Sequence, residues 1–259
     1  MGTGGMAANA AVAAARMGAS VGFFGRVGSD SAGRTARDAL IRDGIDTRGL
    51  EVVNDATTSV STIVVDAHGE RQIFNCRGNA INRAHPLDTS ALNGFDAVLT
   101  DPRWVAGAEA ALKWAKQNRC LSMLDADVAP VEDLRQLVPL ADWAVFSQAG
   151  MAIYAPSVSP EMGMRRALAS GCQVAAVTFG ERGVKWLTRA DAESAPHHEP
   201  SFQVKAVDTT AAGDVFHGVL ILALAEGLPV DKAMRIAAAS AAYKCAHGIG
   251  ASAAPSRDQ

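Results

Sequence analysis

Asp208-Thr209-Thr210-Ala211-Ala212-Gly213-Asp214 runs straight into Val215-Phe216-His217-Gly218-Val219-Leu220-Ile221-Leu222. A turn of small and polar residues thus opens an apolar helical segment. Small residues let the backbone bend sharply and let a bulky ligand approach its N–H groups. The first N–H groups of a helix lack internal partners, and the helix dipole adds partial positive charge there, which makes such a turn an anion site. Asp214 puts a carboxylate where the anion should sit. One reading is local: Asp208 and Asp214 are ordinary turn and helix-start residues. The other is chemical. If the anion is the γ-phosphate of ATP, Asp214 can face the attacking hydroxyl and accept its proton while the N–H groups hold the moving charge.

Working outward, 259 residues suffice to bury a sizeable core as one α/β unit. A hydrophobic share of 49% with 20% charged residues is that of a soluble globular chain. The net charge of -3 gives no reason to expect nucleic acid or an anionic membrane as partner. Cys76, Cys120, Cys172 and Cys245 are widely spaced, without a Cys-x-x-Cys pair, so neither zinc nor a redox motif is signalled and reduced cytoplasmic thiols are expected. The apolar run over 219–225 falls far short of the ~20 residues of a membrane span. Arg16 interrupts the small apolar residues near the start, and no basic segment precedes them, unlike a signal peptide.

Short apolar runs at 97–100, 120–124, 143–146 and 174–178 alternate with helical periodicity over 106–117, 131–138 and 162–169. Such runs between helices read as parallel strands covered on both faces. The fold class expected is α/β: a doubly wound, mostly parallel sheet with helices on both faces. Ligands of such sheets gather at the carboxyl ends of the strands, where Asp101-Pro102-Arg103-Trp104 and Asp125-Ala126-Asp127 lie. Earlier in the chain the spacing predicts a strand at 21–24, a loop over 25–30 and a helix over 32–42 ending at Gly44. Alternation at 59–66 and 71–75 around Ala67-His68-Gly69-Glu70 reads as a hairpin. A hairpin inserted in an α/β pattern projects as a lid or pairs with another subunit. Residues 252–259 read as a frayed tail, and the whole of 1–259 as one domain with 51–76 inserted as a β-lid.

The opening glycines admit two readings. Gly2-x-Gly4-x-x-Ala7 fits the loose dinucleotide fingerprint, which requires a strand immediately before it, and only Met1 stands there. Alternatively Gly4, Gly5, Ala7, Asn9, Ala11, Gly18 and Gly28 follow the first signature of the ribokinase/PfkB carbohydrate kinases. The 208–214 stretch resembles the second signature of that family, Asp-Thr-x-Gly-Ala-Gly-Asp, with Ala211 in place of the first glycine. The resemblance covers nearly the whole chain and implies a ribokinase-like fold with ATP and Mg²⁺ as cofactors. By it, Asp214 is the catalytic base, and the backbone of Ala211, Ala212 and Gly213 forms the anion hole. Gly4 and Gly5 pack against the sugar, and Asn9 binds its hydroxyls. Thr178, Gly180 and Gly183 lie beside the nucleotide phosphates, and the helix over 232–246, with Cys245 and then Gly248, walls the adenine pocket. His217 reads as packing beside the site.

Within the family the likeness is nearest to 6-deoxy-6-sulfofructose kinases, carried by 10–16, Gly25-Arg26-Val27-Gly28, Asp101-x-Arg103-Trp104, Leu124-Asp125-x-Asp127, Phe146-Ser147 and Asp214-Val215-Phe216-His217-Gly218. By that likeness Arg103 and Asn75 bind the sulfonate, with Gly78 close by. A guanidinium suits an oxyanion because its planar fork stays charged and donates several hydrogen bonds. Asn9 departs from that pattern, where threonine stands, so a plain sugar or a sugar phosphate stays open as acceptor. Ser147-Gln148-Ala149-Gly150 stands where many members have Asn-x-x-Glu, so Mg²⁺ would take waters and phosphates rather than a protein carboxylate. Relative to the family roughly 30 residues ahead of Met1 are lacking, enough for a first core strand and a lid hairpin at ~5–6 residues per strand. The chain therefore reads as a fragment or a degenerate copy. The partners expected are a small sugar and ATP, with a homodimer formed through the β-lid. The competing functions are a ribokinase- or fructokinase-type kinase of other specificity, a degenerate sugar- or nucleotide-binding protein, and a nicotinamide-dependent oxidoreductase.

Overall fold

A computed structural model describes residues 4–65, 71–80 and 87–259; the expected turn over 67–70 and Gly2 of the glycine cluster lie outside them. The alanine-rich segment after Gly5 forms α1 (Met6–Arg16), followed by β1 (Gly25–Gly28), α2 (Ser31–Arg42) and β2 (Leu50–Val53). Asp30 caps α2 by accepting the Gly33 amide at 2.8 Å. β1 and β2 pair in parallel as a small sheet of their own. The strand expected at 21–24 therefore sits four residues later. At 21–24 only a single bridge forms, Gly22 to Asp46. What fixes the shift is Arg26, whose side chain is 1% exposed, with its guanidinium 4.3 Å from the Trp104 ring and bonded at 2.9 Å to Glu51. A cation that stacks on an aromatic face and pairs with a carboxylate can occupy a strand interior that composition alone assigns to loop.

The hairpin is β3 (Val60–Val65) with β4 (Arg71–Cys76), antiparallel and in a sheet of its own. After it come β5 (Ala97–Thr100), α3 (Val105–Asn118), β6 (Leu121–Ala126), α4 (Val131–Leu137), β7 (Trp143–Ser147), α5 (Gln148–Tyr154), α6 (Pro160–Ser170) and β8 (Val174–Thr178). β9 (Val184–Thr188) and β10 (His197–Glu199) follow, then α7 (Ala212–Ala225) and α8 (Val230–His247). The six-stranded sheet runs β10-β9-β8-β7-β6-β5, parallel from β5 to β8 and antiparallel at β9 and β10. Among the described residues this sheet and the β1–β2 pair share no ladder bonds. They touch where Phe24 meets Phe95 edge-on at 5.9 Å and where Arg26 covers Trp104.

Successive strand residues point to opposite faces, and two cores result. Met123, Trp143, Val145, Val174, Ala176, Val184 and Trp186 face α1, α7 and α8. Leu124, Ala126, Ala144, Phe146, Ala175, Val177 and Leu187 face the layer of α3 to α6. Asp125 shares the parity of Met123, so it lies on the α7 side at the carboxyl end of β6. The tail expected to fray is packed instead. Ala254 is buried, its carbonyl accepts the Arg16 Nε–H at 2.6 Å, and Arg257 donates to the Met17 carbonyl at 2.9 Å.

Candidate active site

Ala211 caps α7 with φ 63° and ψ 11°, the left-handed conformation that an L side chain adopts at a cost. The turn leaves the first residues of α7 at the surface. Gly213 is exposed, and a Cβ there would meet nothing within 4 Å. The Ala212 amide makes a long bond of 3.3 Å to the Thr209 carbonyl, and Val215 returns the first helical bond to Ala211 at 2.9 Å. Of the three residues expected in the anion hole, Gly213 has the most open surroundings.

The turn is pinned from behind. Lys244 is fully buried on α8, and its ammonium donates to the Asp208 carbonyl at 2.8 Å and to its carboxylate at 2.5 Å. The other Asp208 oxygen accepts the Thr210 amide and hydroxyl, and the Gly250 amide adds a further bond at 3.1 Å. Burial alone would raise the Asp208 pKa; the Lys244 ammonium and these donors outweigh it and hold the carboxyl well below the usual range. The Cys245 carbonyl accepts the Val207 and Asp208 amides at 2.8 and 3.2 Å. Removing one member of such a buried pair typically costs about 3–5 kcal/mol.

Asp214 occupies the first turn of α7, half-buried, and accepts 2.6 Å from the Asn9 side-chain amide of α1. Its pKa is pushed up to about 7, by burial first and then by the Asp125 and Asp127 carboxylates, against the Asn9 bond and the His217 charge. His217, one turn further and 3% exposed, lies with Nδ1 3.2 Å from Asp125 Oδ2. Burial would push the ring's pKa down; Asp125, Asp214 and Asp127 reverse that and raise it. Asp127 accepts the Ser147 hydroxyl at 2.6 Å.

Several of the residues expected on the sugar side lie at the start of α1 and the end of β5. Asp101 accepts the Ala7 amide at 3.1 Å and the Arg103 amide at 2.8 Å, and burial raises its pKa in spite of these donors. The exposed Arg103 reaches Met6, with Nη2 3.6 Å from its sulfur. Gly4 and Gly5 are exposed just ahead of α1, Gly5 at φ 100°. The structure thus gathers Gly5, Asn9, Arg103 and Asp214, residues from both ends and the middle of the chain. The hairpin residues are engaged elsewhere. Asn75 donates to Ser61 across the β3–β4 pair at 2.8 Å, and Gly78 is a close-approach glycine whose Cβ would stand 2.1 Å from the Thr57 carbonyl oxygen.

On the opposite side Thr178 ends β8, Gly180 has φ 60° with open space around it, and Gly183 has φ 83° with a Cβ position 2.1 Å from the Glu199 carbonyl oxygen. Gly248 closes α8 in an extended conformation. None of Ser147, Gln148, Ala149 and Gly150 is itself a carboxylate, and Gln148 accepts from Arg182 at 3.0 Å. Among the described residues no group of three His, Cys, Asp or Glu side chains could hold a metal ion. No described helix is long and apolar enough to cross a membrane.

An acid beside helix-end amides, at the carboxyl edge of a parallel sheet, is the arrangement that phosphoryl transfer needs. The family model for "pfkB family carbohydrate kinase" matches residues 1–257. The chain belongs to that family. This carbohydrate kinase is 31% identical over 268 residues to the ribokinase of Haemophilus influenzae, covering 99% of the chain and 85% of the relative. It is 32% identical over 246 residues to a fructokinase of Klebsiella pneumoniae, covering 87% of the chain and 78% of the relative. A solved structure of a ribokinase-like protein from Agrobacterium tumefaciens superposes with a TM-score of 0.93 at 36% identity, covering 98% of the kinase and 83% of that chain. The fold is accordingly ribokinase-like. Two features of the kinase escaped sequence reading. Lys244 carries no signal, because a lysine on a helix ordinarily faces water. The Asp125–His217 pair had only the strand parity of Asp125 to announce it.

Proposed function

We infer that the kinase transfers the γ-phosphoryl group of ATP to a primary hydroxyl of a small ketose, 6-deoxy-6-sulfofructose or a close relative. Asp214 takes the hydroxyl proton as that oxygen bonds to the γ-phosphorus, and the bond from phosphorus to the β-bridging oxygen breaks to release ADP. The amides at Ala211, Ala212 and Gly213 stabilise the charge on the moving group. Mg²⁺ supplies charge neutralisation on the nucleotide oxygens and is proposed to be held through phosphates and water, as its chemistry favours. Thr178, Gly180 and Gly183 line the phosphate side, and Cys245 and Gly248 the adenine side. The observation that carries this reading is Asp214, held by Asn9 at 2.6 Å beside the open amide of Gly213. Asp214→Asn is expected to lower kcat by about 10²–10⁴-fold with nucleotide affinity retained. Turnover persisting in that variant would refute the role.

The anionic tail is proposed to meet Arg103, which is exposed at the carboxyl end of β5 next to the start of α1. Losing a charge-assisted contact costs about 1.5–3 kcal/mol, so Arg103→Ala should raise KM for the sulfosugar roughly 10- to 100-fold and leave neutral fructose and ribose little changed. Equal losses on all three would remove Arg103 as the reader of an anionic group. The second reading, a neutral ribose or fructose acceptor, is favoured by Asn9 and by the ribokinase and fructokinase relatives. We place the kinase in the cytoplasm, with none of its four cysteines in a disulfide. The hairpin is proposed as a lid and dimer contact, supported by Phe74, which is 59% exposed on β4.

A further inference from the structure

We propose that His217, carried as an imidazolium against Asp125, is the positioning residue that keeps Asp214 ionised for its role. The inference rests on the kinase reading of Asp214 and extends it to a group with no contact to the substrates. Asp125 and His217 are both almost completely buried, at 2% and 3% exposure. Asp125 Oδ1 and both ring nitrogens of His217 lack a well-formed hydrogen-bond partner, although Nδ1 stands only 3.2 Å from Asp125 Oδ2. The 3.2 Å approach sets the ring and the carboxylate side by side, and a buried carboxylate oxygen without a donor is tolerated best beside an opposite charge.

The surroundings explain why that charge matters. Asp125 at the end of β6, Asp127 just after it and Asp214 on α7 all act on the His217 ring. α1 contributes only the neutral Asn9, bonded to Asp214. Asp101 at the end of β5, itself beside Arg103, acts on Asp125. Without a cation among them, Asp125 and Asp127 would drive Asp214 toward its protonated form, which cannot accept a proton from a hydroxyl. Helical spacing puts His217 three residues after Asp214, on the same side of α7. The parity of β6 puts Asp125 beneath it. The ring thus sits within the acidic group and offsets it without competing for the substrate.

The test measures kcat at saturating sugar and ATP from pH 5.5 to 9 for the wild type, His217→Asn and Asp214→Asn. Asparagine can still donate toward Asp125 but carries no charge. In His217→Asn the acidic limb of kcat should move up by about one pH unit, giving roughly tenfold lower turnover below the limb and recovery above pH 8.5. An unmoved limb, or the same fractional loss at every pH, would mean a packing role and overturn the proposal. Asp214→Asn separates the two inferences: if it retains turnover, the kinase assignment of the base fails; if it is inactive while the His217→Asn limb stays put, only this proposal fails. A measurement on unmutated protein guards against a misfolded variant. With histidine ring nitrogens labelled by ¹⁵N, one of the six histidines should show the charged-ring shifts at pH 7. The signal is assigned in a protein whose other five histidines are replaced, and a neutral ring at pH 7 would overturn the proposal.

Discussion

Ala211 holds φ 63° at the start of α7, a conformation that costs an L-residue about 1–2 kcal/mol and glycine almost nothing. Glycine gives part of that back as added freedom of the unfolded chain. Ala211→Gly should therefore stabilise the protein by about 0.5–1 kcal/mol in urea or thermal unfolding; a loss of stability would show that Ala211 is not strained. The two signatures singled out Asn9 and Asp214, because small residues and acids at fixed spacing report backbone geometry directly, and the structure brings the two side chains into contact. His217 was legible only as a residue type. Its partner Asp125 lies on another element, and nothing in local spacing says that the two meet. Arg26 was assigned to a loop and Lys244 passed over for a common reason: composition assigns a cation to water, whereas here a ring, a carboxylate and a carbonyl receive it.

α1 and α7 approach closely because position 218 has no side chain: a Cβ there would stand 2.2 Å from the Ala10 carbonyl oxygen. Gly218→Ala should push the helices apart and cost about 1–3 kcal/mol. It should also lengthen the Asn9–Asp214 contact, so KM for the sugar should rise more than KM for ATP. Equal changes in both constants would mean that this helix pair does not set the sugar site. Strands buried on both faces were read closely, and β5 and β8 fall on the expected residues, since continuous apolar runs leave few alternatives. β2, β9 and β10 were not anticipated. Exposed Lys185 interrupts β9, and the edge strand β10 is the short polar His197-His198-Glu199, so neither offers the apolar run that signals a strand.

Across the molecule, opposite strand faces feed two separate cores, and Asn9, Asp214 and His217 all belong to helices of the α1–α7–α8 side. Every group around Asp214 sits on that side or at the strand ends, while the α3 to α6 layer supports the sheet from behind. That division explains why fold class could be read from patterning whereas the site needed coordinates: patterning reports which face is buried, and the site depends on which strand ends converge. One bond in this arrangement bears on economy of fuel. An oxygen of Asp214 is held by the Asn9 amide at 2.6 Å, and with Asp214 as the proposed base this is where a solvent molecule would otherwise be activated. Under the roles proposed for Asp214 and Asn9, that contact would act as a restraint on squandering ATP to water, lifted when the molecule to be phosphorylated takes the asparagine's place.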